Sequence, residues 1–223
     1  MLYIVATPIG NLEDITLRAL RILGEADFIL AEDTRKTGFL LKHFKIAKKL
    51  VSFFEHNEIK KIPWVIEELK KGKNIALVSS AGTPTISDPG YKLIRTCRKE
   101  NLPLTSLPGP SSLSNALALT SMPHDKFTFL GYLPRKKGKR KALLEEAKKA
   151  GLTTVFFESP FRLLSSLKDL KEIFGSQKVA ILREMSKKFE QVLEVSPQDA
   201  LSYFAKSKLK GELVLVVGKP SGK

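Results

Sequence analysis

Apolar positions along this chain recur in two alternating rhythms. Short unbroken runs such as "LYIVAT" (2–7), "DFILAED" (27–33), "KLVSFF" (49–54), "NIALVS" (74–79) and "LPLTSL" (102–107) have the length and composition of buried strands. Between them lie segments with apolar residues at helical spacing. "DITLRALRILGEA" (14–26) places Leu17, Leu20 and Leu23 on one side, followed by "TRKTGFLLKHF" (34–44) and "IPWVIEELKKG" (62–72). Pro63 in the third suits a first helical turn and Gly72 a stop. "PGYKLIRTCRKEN" (89–101) and "SSLSNALALTS" (111–121) complete the series. Five strand–helix units in succession predict a mainly parallel five-stranded sheet with helices on both faces.

Near "SMPHDKF" the rhythm changes, and a domain boundary is expected at residue 122, giving domains 1–122 and 123–223. The second half reads as strands 127–133, 153–159, 178–184, 191–195 and 212–218, with helices over 138–150, 162–174 and 197–207. "KVAILREMSKKFEQVLEV" leaves no room for a helix between its two strands, so they form an antiparallel pair. The expected second domain is therefore α/β with a mixed sheet.

Composition narrows the function. The chain has 223 residues, with 38 Lys and Arg against 23 Asp and Glu, a formal net charge of +15. That excess points to a polyanionic partner. A single cysteine, Cys97, excludes an intramolecular disulfide and a cysteine zinc site, and three scattered histidines suggest no metal. No apolar run reaches the roughly 20 residues of a membrane span. The N-terminus lacks a signal-peptide pattern, so a cytoplasmic location is expected. No GxGxxG follows the first strand and no Walker loop is present, which disfavours dinucleotide dehydrogenases and P-loop NTPases.

The candidate chemistry sits after the strands, where ligands bind in α/β sheets. "ATPIGN" (6–11) follows the first strand, "VSSAGTPTISDPG" (78–90) the fourth and "LPGPSSLSNA" (107–116) the fifth. Three small-residue loops at one sheet edge make a ligand cleft. With no Lys in any of them, a flat adenosine-type ligand held by backbone groups suits it better than a phosphate. "AEDTRKT" (31–37) adds Glu32, Asp33 and Arg35 after the second strand. Asp33 or Thr34 would suit a helix N-cap, but an adjacent Asp–Arg pair at this edge is better explained by substrate contact. In the second half "LPRKKGKRK" (133–141) packs six cations into positions 135–141, an arrangement that invites a phosphate backbone.

The series "VATPIGNLEDIT", "AEDTRKTGFLL", "FFEHNE", "LVSSAGTPTISDPG", "LPGPSS", "FTFLGYLPRKKGKR", "FFESPFR" and "REMSKKFE" resembles, in order and over essentially the whole chain, the RsmI family. These are ribosomal small-subunit RNA (cytidine-2′-O-)-methyltransferases with the tetrapyrrole methylase fold. The resemblance implies S-adenosyl-L-methionine bound between two domains, a homodimer, and small-subunit rRNA or the 30S subunit as substrate, with no membrane or metal. It implies cofactor contacts at Thr7, Pro8, Ser79, Ser80, Ala81, Gly82, Thr83, Pro84, Ser111, Ser112, Gly131, Leu133, Gly211 and Glu212. Asp33 and Asp88 are the catalytic candidates. Arg35, Arg135, Lys136, Lys137, Lys139, Arg140, Arg162 and Arg183 would contact RNA, and Glu158 and Glu184 would face RNA or the reaction centre. Two departures stand out: Ser80 replaces the usual Asp of the cofactor loop, and many members continue into a small C-terminal domain beyond the point where "VVGKPSGK" ends this chain. The basic surface would then serve RNA docking. The alternatives are a tetrapyrrole methyltransferase and a non-catalytic ribosome assembly factor.

Overall fold

A computed structural model describes residues 1–205 and 209–219. The chain divides into two compact units, 1–111 and 112–223. In the first, strands β1 (Leu2–Val5), β2 (Phe28–Ala31), β3 (Leu50–Ser52), β4 (Ile75–Val78) and β5 (Leu104–Leu107) form one sheet in the order β3-β2-β4-β1-β5. Every pairing in it is parallel. Helices α1 (Leu17–Glu25), α2 (Thr34–His43), α3 (Glu58–Lys70) and α4 (Tyr91–Lys99) connect the strands.

The continuous apolar runs are explained by burial of both sheet faces. Val5, Ile29, Ala31, Ala76 and Val78 point to one side and pack with Ala19, Ile22 and Leu23 of α1 and Leu40 and Leu41 of α2. Leu2, Ile4, Phe28, Leu30, Ile75 and Leu77 point to the other and pack with Val65, Ile66 and Leu69 of α3 and Leu93 and Cys97 of α4. This is the period-two alternation of a strand with apolar residues on both phases.

Two local expectations are corrected. The stripe buried on α1 is Ala19, Ile22 and Leu23, and Leu17 is 86% exposed. Two positions before Ala19 is about 200° around a helix of 3.6 residues per turn, which turns Leu17 to the far side. Helix α3 begins at Glu58, so Pro63 is inside it and not in its first turn. The helix starts early because the Asn57 side chain accepts from the Phe54 N–H at 2.9 Å, and the Phe54 carbonyl accepts from the Glu58 N–H at 2.9 Å.

The second unit opens with α5 (Ser112–Ala118) and continues β6 (Phe127–Tyr132), α6 (Lys137–Ala150), β7 (Thr153–Glu158), α7 (Leu163–Phe174), β8 (Val179–Arg183), β9 (Gln191–Val195), α8 (Pro197–Phe204) and β10 (Leu213–Val217). Its sheet runs β6-β7-β10-β8-β9. β6 and β7 are parallel, β10 is antiparallel to both neighbours, and β8–β9 is the expected antiparallel pair. Leu213, Leu215 and Val217 join Phe156, Ile181 and residues of α6, α7 and α8 in one core. The units divide earlier in the chain than residue 122 because α5 packs against β10. The end of the helix expected over 197–207 lies outside the described residues.

Candidate functional site

In the first unit the loops after β1, β4 and β5 are bonded into one edge. Thr7 and Gly82 form an isolated antiparallel bridge, each N–H donating to the other's carbonyl at 2.9 Å. The Thr7 hydroxyl reaches the Ser79 carbonyl at 3.4 Å, and the Ser79 hydroxyl donates to the Ala81 carbonyl at 3.1 Å. Thr83 donates its hydroxyl to the Pro110 carbonyl at 3.0 Å, which ties in the loop after β5. Glycine is needed for this closeness. A Cβ on Gly109 would stand 2.8 Å from the Ala6 Cβ, and Gly82 has φ +77°. A small cavity of about 100 Å³ beside these loops is lined by Thr7, Pro8, Lys36, Thr37, Phe39, Ser79 and Ser80, among others. Thr7, Pro8 and Ser79–Pro84 are thus brought together; Ser111 closes this unit and Ser112 opens α5 in the next.

The loop after β2 joins through Glu32. Its carboxylate accepts from the Ser80 N–H at 2.9 Å, so position 80 is held by its backbone rather than by its side chain. Asp88 lies close by: burial pushes its carboxyl up to about 6, Glu32 adds to the rise, and the Ser79 hydroxyl opposes it. Thr85 and Ser87, both with positive φ, flank the approach to Asp88, a costly backbone for residues with a Cβ. The far side of this loop is anchored by Glu58, whose buried carboxylate accepts from the Gly90 N–H at 3.2 Å and pairs with Lys92 at 2.7 Å.

Asp33 takes the other course. It is the N-cap of α2, accepting from the Arg35 and Lys36 N–H groups at 2.9 and 3.4 Å, and it pairs with the Arg35 guanidinium at 3.1 Å. Those bonds hold its carboxyl at about 2. The capping reading, set second in the sequence, is the one the geometry supports; Arg35 itself is 91% exposed. Asp88 does not cap α4, whose N-cap is Gly90.

In the second unit the expected site residues separate into scaffold and surface. Arg135, Lys136, Lys137 and Lys139 are exposed around the start of α6, whose first turn has no acid and whose N-cap, Lys136, makes no side-chain bond. Arg140 departs from the expectation of RNA contact: it is 6% exposed and its Nε donates to Asp169 at 2.6 Å. One helical turn of α6 therefore carries cations outward at 137 and 139 and inward at 140. Leu133 is a core residue, and its carbonyl accepts from Arg162 at 2.7 Å. Glu158 is buried and holds Arg162 at 2.9 Å, the Ser159 N–H at 2.8 Å and the Ser166 hydroxyl. Gly131, at φ +61°, lies in a bulge where β6 shifts register against β7.

Arg183 and Glu184 fasten the segment 210–212. Arg183 donates from Nε to the Lys210 carbonyl at 2.8 Å. Glu184 donates its N–H to the Glu212 carbonyl at 3.0 Å and accepts the Glu212 N–H at 2.9 Å. Burial works against the Glu184 carboxylate, but Lys187 and the Glu212 N–H outweigh it and lower its pKa. A Cβ on Gly211, which has φ +100°, would stand 2.4 Å from that carboxylate. Gly211→Ala is expected to destabilise the protein by roughly 1–3 kcal/mol through strain and loss of this clasp, measured by urea unfolding.

Glu58 is the site builder that sequence reading passed over, and Glu32, named only for its place after the second strand, is the one whose contact it did not foresee. Both act across long stretches of chain, 32 residues for Glu58 and 48 for Glu32, which no local pattern signals. Among the described residues no group of His, Cys, Asp and Glu could hold a metal ion.

Comparison with known proteins agrees with this architecture. The sequence model of the tetrapyrrole (corrin/porphyrin) methylases matches residues 1–200. The protein named ribosomal RNA small subunit methyltransferase I of Thermotoga maritima is 50% identical over 216 residues, covering 97% of each chain. The protein of the same name from Halalkalibacterium halodurans is 47% identical, covering 97% of this chain and 75% of its own. Among solved structures, a cobalt precorrin-4 methyltransferase superposes with a TM-score of 0.72 at 15% identity, covering 97% of this chain and 94% of its own. The uroporphyrin-III C-methyltransferase of Thermus thermophilus, complexed with S-adenyl homocysteine, superposes at 0.67 with 17% identity, covering 97% and 96%. With a matching sequence model over most of its length and relatives near half identity, the chain belongs to the tetrapyrrole methylase family and, within it, to the ribosomal RNA small subunit methyltransferase I proteins.

Proposed function

We propose that this protein is an S-adenosylmethionine-dependent methyltransferase that modifies the 2′-hydroxyl of a cytidine in small-subunit ribosomal RNA. What carries the reading is the bonding of three post-strand loops into one edge, in a chain whose relatives are named for ribosomal RNA methylation. The residues present suit the donor. Its sulfonium is cationic, and loops 6–11, 78–90 and 107–112 contain no Lys or Arg, while Glu32 and Asp88 supply carboxylates nearby. Their backbone amides, carbonyls and hydroxyls match a nucleoside. Thr7, Pro8, Ser79–Pro84 and Ser111 would hold it.

Bound there, S-adenosylmethionine supplies an activated methyl group. The protein's part is orientation, which is the larger share of catalysis when the donor is already reactive. Asp88 is the candidate base for the ribose hydroxyl proton: a carboxyl lifted to about 6 is ionised at neutral pH yet more basic than an ordinary Asp. Asp33, held at about 2 by its cap and by Arg35, is poorly suited and is assigned to positioning Arg35. Arg35, Arg135, Lys136, Lys137, Lys139 and Arg183 are the proposed phosphate contacts, while Arg140, paired with Asp169, and Arg162, paired with Glu158, belong to the scaffold of the second unit. The family resemblance extends the reading to a cytoplasmic homodimer.

The test is methylation of small ribosomal subunits by purified protein with labelled donor, followed by mapping. Label at a cytidine 2′-oxygen is the expected result. Label on a base or on protein, or no label, would overturn it.

A further inference from the structure

Phe161 is 97% exposed, although burying a phenylalanine returns about 1.5–3 kcal/mol. The backbone beneath it is fixed. The turn that carries it is closed by the Arg162 and Leu163 N–H groups, which donate to the Ser159 carbonyl at 3.0 and 3.1 Å. Glu158 clamps both ends of that turn through Ser159 and Arg162, and Arg162 reaches across to the Leu133 carbonyl at 2.7 Å. A second aromatic stands at the same strand ends. The bulge at Gly131 puts Tyr132 opposite Phe157, where the register without it would have turned it away, and Tyr132 keeps 58% of its surface exposed. Tyr132 packs edge-on against Phe157 at 5.5 Å, which fixes its ring. Immediately beyond Leu133 come the exposed cations Arg135, Lys136, Lys137 and Lys139.

Resting on the proposed function, we infer that Phe161, seconded by Tyr132, is a base-stacking platform that takes RNA as a splayed single strand across the ends of β6 and β7. Exposed aromatic faces beside a cationic track are what single-stranded nucleic acid needs: stacking holds the bases and the cations follow the phosphates. A paired helix could use the cations but offers no open base face to Phe161. The anchored Arg162 is a positioning residue in this arrangement, because its guanidinium is occupied by Glu158 and Leu133.

The experiment measures binding of a fluorescent single-stranded RNA, and of the same sequence as a duplex, across a salt series. Phe161→Ala is expected to weaken single-strand binding by roughly 5- to 150-fold, the effect of removing one stacked base, with the salt slope unchanged. Phe161→Trp should restore it, and duplex binding should change little. Replacing Arg135, Lys136, Lys137 and Lys139 by Gln should instead flatten the salt slope for both probes. Single-strand binding by Phe161→Ala at wild-type strength overturns the inference, as does an equal loss on duplex. So does dissociation of a dimer by Phe161→Ala with RNA affinity intact. The two readings fail separately: wild-type protein that labels no RNA, yet binds single strands through Phe161, sinks the methylation reading alone. Labelling of RNA by wild type with Phe161→Ala binding normally sinks only the platform.

Discussion

Asp169→Ala is expected to lower the stability of the protein by about 3–5 kcal/mol, the cost of leaving a buried charge without its partner. The stranded group is the Arg140 guanidinium, which is held between α6 and α7 by its 2.6 Å bond to Asp169, with the Arg135 carbonyl at 3.5 Å as a weak further acceptor. For a chain of this length each kcal/mol moves the melting temperature by about 2–4 °C, so calorimetry reads the change directly. The double variant Arg140→Met, Asp169→Leu removes both charges and should recover most of the loss, since apolar replacements of a buried pair are often neutral. RNA affinity of that double variant should match the wild type. A marked loss of RNA affinity in a stable double variant would return Arg140 to the RNA surface.

The second large effect concerns Asp88→Asn. If Asp88 takes the ribose proton, the substitution lowers kcat/KM for methyl transfer by about 100- to 10,000-fold, the usual worth of a general base. The wild-type profile should rise through pH 6 and level off, and the residual activity of the variant should lose that step. Stability moves the other way. The folded carboxyl titrates near 6 and the unfolded one near 4, so the native state holds more protons between those values. The wild type therefore loses stability as pH rises from about 4 to about 6, and Asp88→Asn, which has no such titration, should be the more stable protein at pH 8 and gain nothing below pH 4. Unchanged turnover in Asp88→Asn would remove it as the base, and a variant that is less stable at pH 8 would make its role structural.

The parallel sheet was readable because its strands are buried on both faces, which leaves uninterrupted runs such as "ILA" and "IALV" that no surface pattern disguises. The β8–β9 pair was readable from the shortness of the link. The loops after β1, β4 and β5 were recognisable as one site because their small residues recur at equivalent places after strands. What stayed hidden depends on partners distant in sequence. Nothing near Arg140 tells it from Lys139, since the difference is Asp169 on another helix. Leu17 looked like core because a three-residue spacing fits more than one stripe on a short helix, and the sheet below selects Ala19, Ile22 and Leu23. Ser80 drew notice as a missing acid, but the contact that matters there is backbone to Glu32, which any residue except proline can make.

The paired N–H and C=O groups of Thr7 and Gly82 also bear on the speed of capture. A loop edge already cross-linked by its own amides has little chain freedom to surrender when a small molecule arrives. Ligand entry at that edge is then an encounter with a finished wall, governed by diffusion and departure rather than by a folding step. The amides of Thr7 and Gly82 lie outside the regular strands, yet, bonded to each other's carbonyls, they are expected to exchange slowly with solvent whether or not a ligand is present.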